Sequence, residues 1–303
     1  MNLDQTDEQR QMIATLDALL ASEYPLSRLR RDKGETLDPL AGFGLFDLAA
    51  AGMPATEALL HARLGRHLVG ASALARAAAV RLAGEGPLAD GIGAGRVAVS
   101  AGVVSGADLL LLDTPGAGVA VWRDGAALRW GAIEPGPGAQ AAGGGLPLTR
   151  TRRPDSAHAA APDHWQLLVC AQLLGVAEGA MELAVDYAGL RQQFGRPIGS
   201  FQAIKHHAAN MALGVAMLSA QLDFAALSLE GNLPDAPFQI AALARLAPGV
   251  ALKNARLAIQ IHGGIGFSAE ADVHLFLKQA HRLAQLLPQT DLLALSAPLT
   301  HGG

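Results

Sequence analysis

Two stretches of this 303-residue chain carry side chains whose types and spacing suit ligand chemistry. The first runs Tyr187-Ala-Gly-Leu-Arg191-Gln-Gln193-Phe194-Gly195-Arg-Pro-Ile198-Gly-Ser-Phe201-Gln202, and the second is Gln260-Ile-His262-Gly263-Gly264-Ile-Gly266-Phe267. Arg191 closes a helical pattern just before a Gly/Pro turn, so its planar fork of donors is held where a phosphate can take two hydrogen bonds. Gln193 and Gln202 add neutral donors. Gly263-Gly264 lets the backbone come close to a ligand and offer its N–H groups. Together the two stretches could hold a pyrophosphate-bearing cofactor without a Rossmann loop. The alternative reading is a helix C-terminus followed by an ordinary glycine turn.

The motifs that are missing narrow the chemistry. The chain has no G-x-x-x-x-G-K-[ST] loop, no G-x-G-x-x-G, no H-E-x-x-H, no G-x-S-x-G elbow and no Glu-x-x-His pair. His206, His207, His262, His274 and His281 have no recognisable metal spacing and read as surface or hydrogen-bonded structural histidines, so no metal is expected. The single cysteine, Cys170, excludes an internal disulfide and a cysteine zinc site. Hydrophobic residues make up 50% of the chain and charged residues 17%, which excludes disorder as the main state. A net charge of −4 gives no reason to expect nucleic-acid binding. The acidic start MNLDQTDEQR is unlike a presequence, and no 18-residue window reads as both apolar and free of charge and turn signals. A cytoplasmic protein with no membrane span is the expectation.

The elements that must position these residues follow from periodicity. Residues 5–22 read as an amphipathic helix with a Thr6/Gln9 capping box. Residues 38–50 read as a short helix interrupted at Gly42 and Gly44, and 55–83 as one long helix that begins at Thr56 and Glu57. From 95 to 150 the apolar runs shorten, and RVAVSAGVV, ADLLLLD, GVAVWRDG and AALRWGAI predict four strands, followed by loop at Gly143-Gly144-Gly145 and Arg152–Asp155. Four helices are then predicted over 163–192, 199–230, 235–261 and 268–287, the last stopped by Pro288. The predicted fold is mainly α: N-terminal helices (1–94), a small middle β domain (95–162) and a C-terminal four-helix domain (163–303).

The two stretches resemble the C-terminal helical domain of the acyl-CoA dehydrogenases. That family shows Arg-x-x-Phe-Gly-x-x-Ile-x-x-Phe-Gln-x-x-x-His and then Gln-x-x-Gly-Gly-x-Gly. The matching residues are Arg191, Phe194, Gly195, Ile198, Phe201, Gln202 and His206, then Gln260, Gly263, Gly264 and Gly266. The resemblance runs in register from about Gly175 to Ala280. Weaker echoes precede it in GFGLFDLAAAGMP, in Glu57 with Gly65-Arg66, and in the Val/Leu-rich middle.

The resemblance implies an FAD flavoprotein that removes hydrogens from Cα and Cβ of an acyl-CoA thioester. In that chemistry a carboxylate takes the α proton, and the developing enolate oxygen must be stabilised. It implies oligomers built through the C-terminal bundles, in which one chain's C-terminal domain holds the adenosine diphosphate end of a neighbour's FAD. By motif match that role falls to Arg191, Gln193, Phe194, Ile198, Gln202, Gln260, Gly263 and Gly264. The departures lie in the catalytic half. The family's usual base position falls on Leu287, and its alternative position, on the first bundle helix, falls on Trp165; neither accepts a proton. Asp163 and Asp291 stand nearby and are the remaining candidates, each otherwise read as a solvated acid at a helix end. The Thr-Glu pair and the Trp followed by Thr or Ser that pack on the flavin in the family are missing between Gly84 and Val119, and Trp122 precedes a hairpin turn. The chain therefore resembles a shortened, non-catalytic subunit of the heteromeric steroid side-chain enzymes. A self-sufficient homomer with a relocated base and a flavin-free scaffold are the alternatives. Gly175, Ala177 and Gly179 either leave room for a bulky acyl group or serve helix packing.

Overall fold

The computed structural model describes residues 4–30, 36–112, 114, 116–125, 127–134, 140–142, 146–155 and 157–288. Six helices come first: α1 (Asp7–Glu23), α2 (Asp38–Phe43), α3 (Leu45–Ala51), α4 (Pro54–Arg66), α5 (Ala71–Ala83) and α6 (Pro87–Gly93). Helix α1 opens on the expected capping box, with the Thr6 hydroxyl accepting from Gln9 N–H and the Gln9 side chain accepting from Thr6 N–H. The interruption expected at Gly44 is present, with Gly44 at φ +89° between α2 and α3, whereas Gly42 lies inside α2.

The long helix expected over 55–83 is two helices. It breaks after Arg66, where Leu68 takes a left-handed φ of +53°. Leu68 and Val69 stay buried through the break, so the apolar period runs on while the backbone does not. Helix α6 was not anticipated, because its seven residues, PLADGIG, carry little helical periodicity.

The sheet is larger than the four strands predicted. Its order is β5-β6-β2-β1-β3-β4-β7, built from β1 (Val99–Ser105), β2 (Asp108–Leu112), β3 (Val119–Asp124), β4 (Ala127–Ala132), β5 (Gln140–Ala142), β6 (Leu146–Arg152) and β7 (His158–Ala160). The four expected strands are β1–β4. The other three lie beyond them, in a segment whose Gly, Pro and Arg content hides strand alternation, and they form by pairing onto existing edges. Gly143–Gly145 lie outside the described residues. Trp122 packs with Leu109 and Leu111 on one face of the sheet, and Trp130 stacks on His158 with centroids 4.9 Å apart. Trp122 is thus committed to the sheet's own packing, while Trp130 belongs to the main core.

The remainder is helical: α7 (Asp163–Leu190), a two-stranded hairpin of β8 (Gln192–Gln193) and β9 (Arg196–Pro197), then α8 (Gln202–Glu230), α9 (Ala236–His262) and α10 (Val273–Ala284). Helix α10 is shorter than the predicted 268–287. A 3₁₀ turn over Gly263–Phe267 precedes it, and its C-terminal end unwinds into turns that bury Leu286 and Leu287 before Pro288 is reached. By length and composition α7 and α8 would each suffice to cross a bilayer, contrary to the expectation of no such window, but 72% of the α7 window is buried inside this fold. One continuous hydrophobic core joins the N-terminal helices, one face of the sheet and the bundle.

Helices α4 and α7 cross with their backbones in contact. A Cβ on Gly175 would lie 1.8 Å from the Ala62 carbonyl oxygen, and one on Gly65 would lie 2.0 Å from that of Gln172. A Cβ on Gly179 would meet the Phe276 ring at 2.5 Å. The small residues at 175 and 179 therefore serve helix packing.

Candidate functional site

The two sequence stretches converge. Helix α7 ends at Arg191, whose N–H donates to the Tyr187 carbonyl and whose own carbonyl accepts from Ile198 N–H at 2.8 Å. The chain reverses between β8 and β9 at Phe194-Gly195, with φ +54° and +75°. Positive φ at both central residues is the hairpin turn that matches strand twist, and Gly195 suits it. Phe194 does not, since a bulky residue in this region is strained. Its ring is 91% exposed and meets Phe201 edge-on, while the Arg196 guanidinium lies 4.3 Å from the Phe201 centroid.

On the facing side α9 ends at His262 and turns through Gly263, at φ +63°, into the 3₁₀ turn. The Gly263 N–H is not free as the sequence suggested, because it donates to the Ile259 and Gln260 carbonyls. A Cβ at Gly263 or Gly264 would meet nothing, so both face open space, whereas one at Gly266 would sit 2.8 Å from the Ile259 carbonyl oxygen. Between the two elements lies a groove of about 520 Å³. Arg191, Gln193, Ile198, Gly263 and Gly264, all picked out from sequence, line it together. Phe194 stands at the hairpin tip beside it. Gln202 and Gln260 are exposed at the start of α8 and the end of α9 and do not line it.

The sequence reading gave His262 a structural role, and the structure gives it that role and a second one. Its Nδ1 donates to the Ala258 carbonyl at 2.8 Å. Its ring stacks on Tyr187, with centroids 4.2 Å apart and planes 18° apart, and both residues line the groove. The motif spacing named both residues, but only the meeting of α7 and α9 brings them face to face.

The candidate base positions lie elsewhere. Trp165 is buried and its Nε1–H donates to the Leu286 carbonyl at 3.2 Å, so the residue-165 position and the segment carrying Leu287 pack against each other. Asp163 begins α7, and partial burial pushes its carboxyl above the usual range. Asp291 lies outside the described residues. Among the described residues no group of three or more His, Cys, Asp or Glu side chains is placed to hold a metal ion.

A polar cluster that the sequence reading missed sits between α4 and α7. The Glu57 carboxylate is fully buried and lies 2.7 Å from His164 Nε2. His61, one turn along α4, has its Nδ1 3.5 Å from Gln172 Nε2. Burial first, and the neighbouring His164 second, push the His61 imidazole down to about 3. Glu57 Oε1, His61 Nε2 and Gln172 Oε1 are buried without a partner. No local signal could have found this cluster, since Glu57 and His164 are 107 residues apart.

Comparison with known proteins bears on the same region. Residues 162–286 match the family described as acyl-CoA dehydrogenase, C-terminal domain. Acyl-CoA dehydrogenase IpdE2 of Mycobacterium tuberculosis is 45% identical over 123 residues, which is 40% of this chain and 36% of that protein. Acyl-CoA dehydrogenase FadE34 of the same organism is 37% identical over 121 residues, 40% of this chain and 17% of that protein. The matched stretch thus spans only about a third or less of these two relatives. The fold likeness is wider. Butyryl-CoA dehydrogenase from Megasphaera elsdenii superposes with a TM-score of 0.73 at 17% identity, covering 94% of this chain and 95% of that one. The ChsE4-ChsE5 complex from Mycobacterium tuberculosis gives 0.70 at 19% identity, covering 93% and 94%.

Proposed function

We propose that this chain, which has the acyl-CoA dehydrogenase fold and carries that family's C-terminal domain, acts in the α,β-dehydrogenation of an acyl-CoA thioester as the subunit that clasps the nucleotide end of a partner chain's FAD. The observation that carries the reading is the convergence of Arg191, Gln193 and the open Gly263-Gly264 backbone on one groove. These residues fit the adenosine diphosphate half of FAD: a fixed cation and a neutral amide for phosphate oxygens, apolar Ile198 and Ile265 for a flat ring, and no Cβ to block close approach. When bound, FAD supplies the hydride acceptor of the reaction. This chain's share is to fix the position of the diphosphate. Arg191 is anchored for that task by the backbone bonds that tie α7 to the hairpin.

The base is assigned to the partner. Trp165 and Leu287, the positions that the resemblance gives for the family's base, are both buried, and neither side chain accepts a proton. A heteromeric assembly in fatty acid or steroid catabolism accounts for a chain that keeps the clasp and lacks the base. The presence of a steroid acyl-CoA dehydrogenase and of ChsE4-ChsE5 among the similar folds supports it. A second reading, a self-sufficient enzyme, is favoured by one observation. The Asp163 carboxyl is half-buried and pushed upward, in the direction a general base requires.

Visible spectra separate these readings. The chain expressed alone is expected to be colourless, and the chain co-purified with an acyl-CoA-dehydrogenase-like partner yellow and bleached by acyl-CoA. A yellow chain that bleaches alone and loses that ability as Asp163→Asn would establish the second reading. Absence of colour in every combination would leave a flavin-free scaffold.

A further inference from the structure

We propose that His262 provides the second positive charge for the bound diphosphate, so that the groove takes up a proton when FAD binds. This rests on the FAD reading above and adds a regulation to it. The imidazole is held in place from two sides, by Nδ1–H on the Ala258 carbonyl and by the Tyr187 ring. The Nδ1 bond persists in either charge state, because Nδ1 is a donor in both the neutral tautomer it implies and the cation. All change is therefore confined to Nε2. That atom has no hydrogen-bond partner among the described residues and is not among the sealed-off polar atoms, and His262 lines the groove.

Charge counting gives the reason for protonation. A diphosphate linking two esters carries two negative charges. Of the groove's lining, α7 brings Arg191 and Tyr187, the hairpin side brings Gln193 and Ile198, and the turn after α9 brings Gly263, Gly264 and Ile265. Arg191 is the only fixed cation in this set, so this chain's fixed charges match one of the two. A neutral His262 would present a lone pair to phosphate oxygens. Protonated, it presents a charge-assisted donor, and the Tyr187 face beneath it favours the cation. Histidine is the side chain that exchanges its proton near neutrality, and an adjacent dianion draws that proton on. Binding and proton uptake are then linked.

Isothermal titration of FAD into the complex with which the chain is isolated, after its bound flavin has been removed, tests this in buffers of different ionisation enthalpy. FAD's own diphosphate takes up no proton in the range used, so any uptake belongs to the protein. The expected result near pH 8 is an uptake approaching one proton per FAD, with affinity falling by up to about tenfold per pH unit above neutrality. His262→Gln keeps a neutral donor near the place of Nε2 and is expected to bind with no uptake and a flat pH profile. Arg191→Gln is expected to weaken binding at every pH and leave the uptake intact. A purely structural His262 would not move the proton count, and the wild-type measurement decides the matter even if the glutamine variant folds poorly. FAD binding without uptake would overturn this inference and leave the clasp standing. Failure of FAD to bind in any state would overturn the clasp as well.

Discussion

Arg191 concentrates the argument in one side chain. It is exposed, so its loss leaves no buried partner stranded and costs the fold little. A hydrogen bond to a charged group contributes about 1.5–3 kcal/mol, so Arg191→Gln is expected to weaken FAD retention by roughly ten- to a hundredfold. Flavin absorbance after gel filtration reads the loss, and an unchanged far-ultraviolet circular dichroism spectrum shows that the fold is intact, since losing a ligand lowers the melting temperature by itself. His61 makes a different prediction. Its folded-state value is about 3 against 6.5 when unfolded. Below about 6.5 the unfolded chain therefore binds a proton that the folded chain refuses, and stability falls as pH drops through the window from about 6.5 to about 3. The slope from this group alone approaches about 1.4 kcal/mol per pH unit. Urea midpoints measured across that window should fall more steeply in the wild type than in His61→Gln, and equal slopes would refute the assignment. Both side chains were visible as letters. Arg191 stood out in the sequence because its motif is local, and His61 did not because its surroundings include Gln172, 111 residues away.

The α4–α7 crossing carries the next prediction. Two glycines, Gly65 and Gly175, let the helices touch backbone to backbone. In Gly175→Ala the new methyl would stand 1.8 Å from the Ala62 carbonyl oxygen, which no side-chain rotation relieves. The helices must separate, and overpacking of this kind typically costs about 1–3 kcal/mol, or more where backbone must move. Chemical denaturation of the variant checks this. A neutral substitution would mean the crossing is looser than described. Sequence periodicity placed α7, α8 and α9 to within a few residues, because their apolar faces repeat over many turns. It failed at the 66–71 break and in the outer strands β5, β6 and β7. There the local pattern is continuous or uninformative, and the backbone follows contacts with distant segments.

At the scale of the assembled protein, α8 leaves an unusual surface. Leu213 is 60% exposed and Met217 53%, one turn apart on the same face, with Phe224 further along it. Apolar side chains at helical spacing on an outer face mark an interaction surface. They are expected to be covered in the oligomer that the FAD clasp requires. Leu213→Glu should lower the mass measured by light scattering while leaving the helical content unchanged. An unaltered oligomer would place the interface elsewhere.

The order of the letters was enough to specify a mainly helical chain with a small sheet, the two motif-bearing segments and the Trp and Leu at positions 165 and 287. These are properties of spacing along one strand of chain. The folded molecule decided that Arg191 and Gly264 share a groove, that His262 joins them across the Tyr187 ring, and that Glu57 and His164 pair out of water. Those outcomes depend on how α4, α7 and α9 cross, and a crossing is fixed by contacts between residues far apart in sequence, to which no local pattern refers.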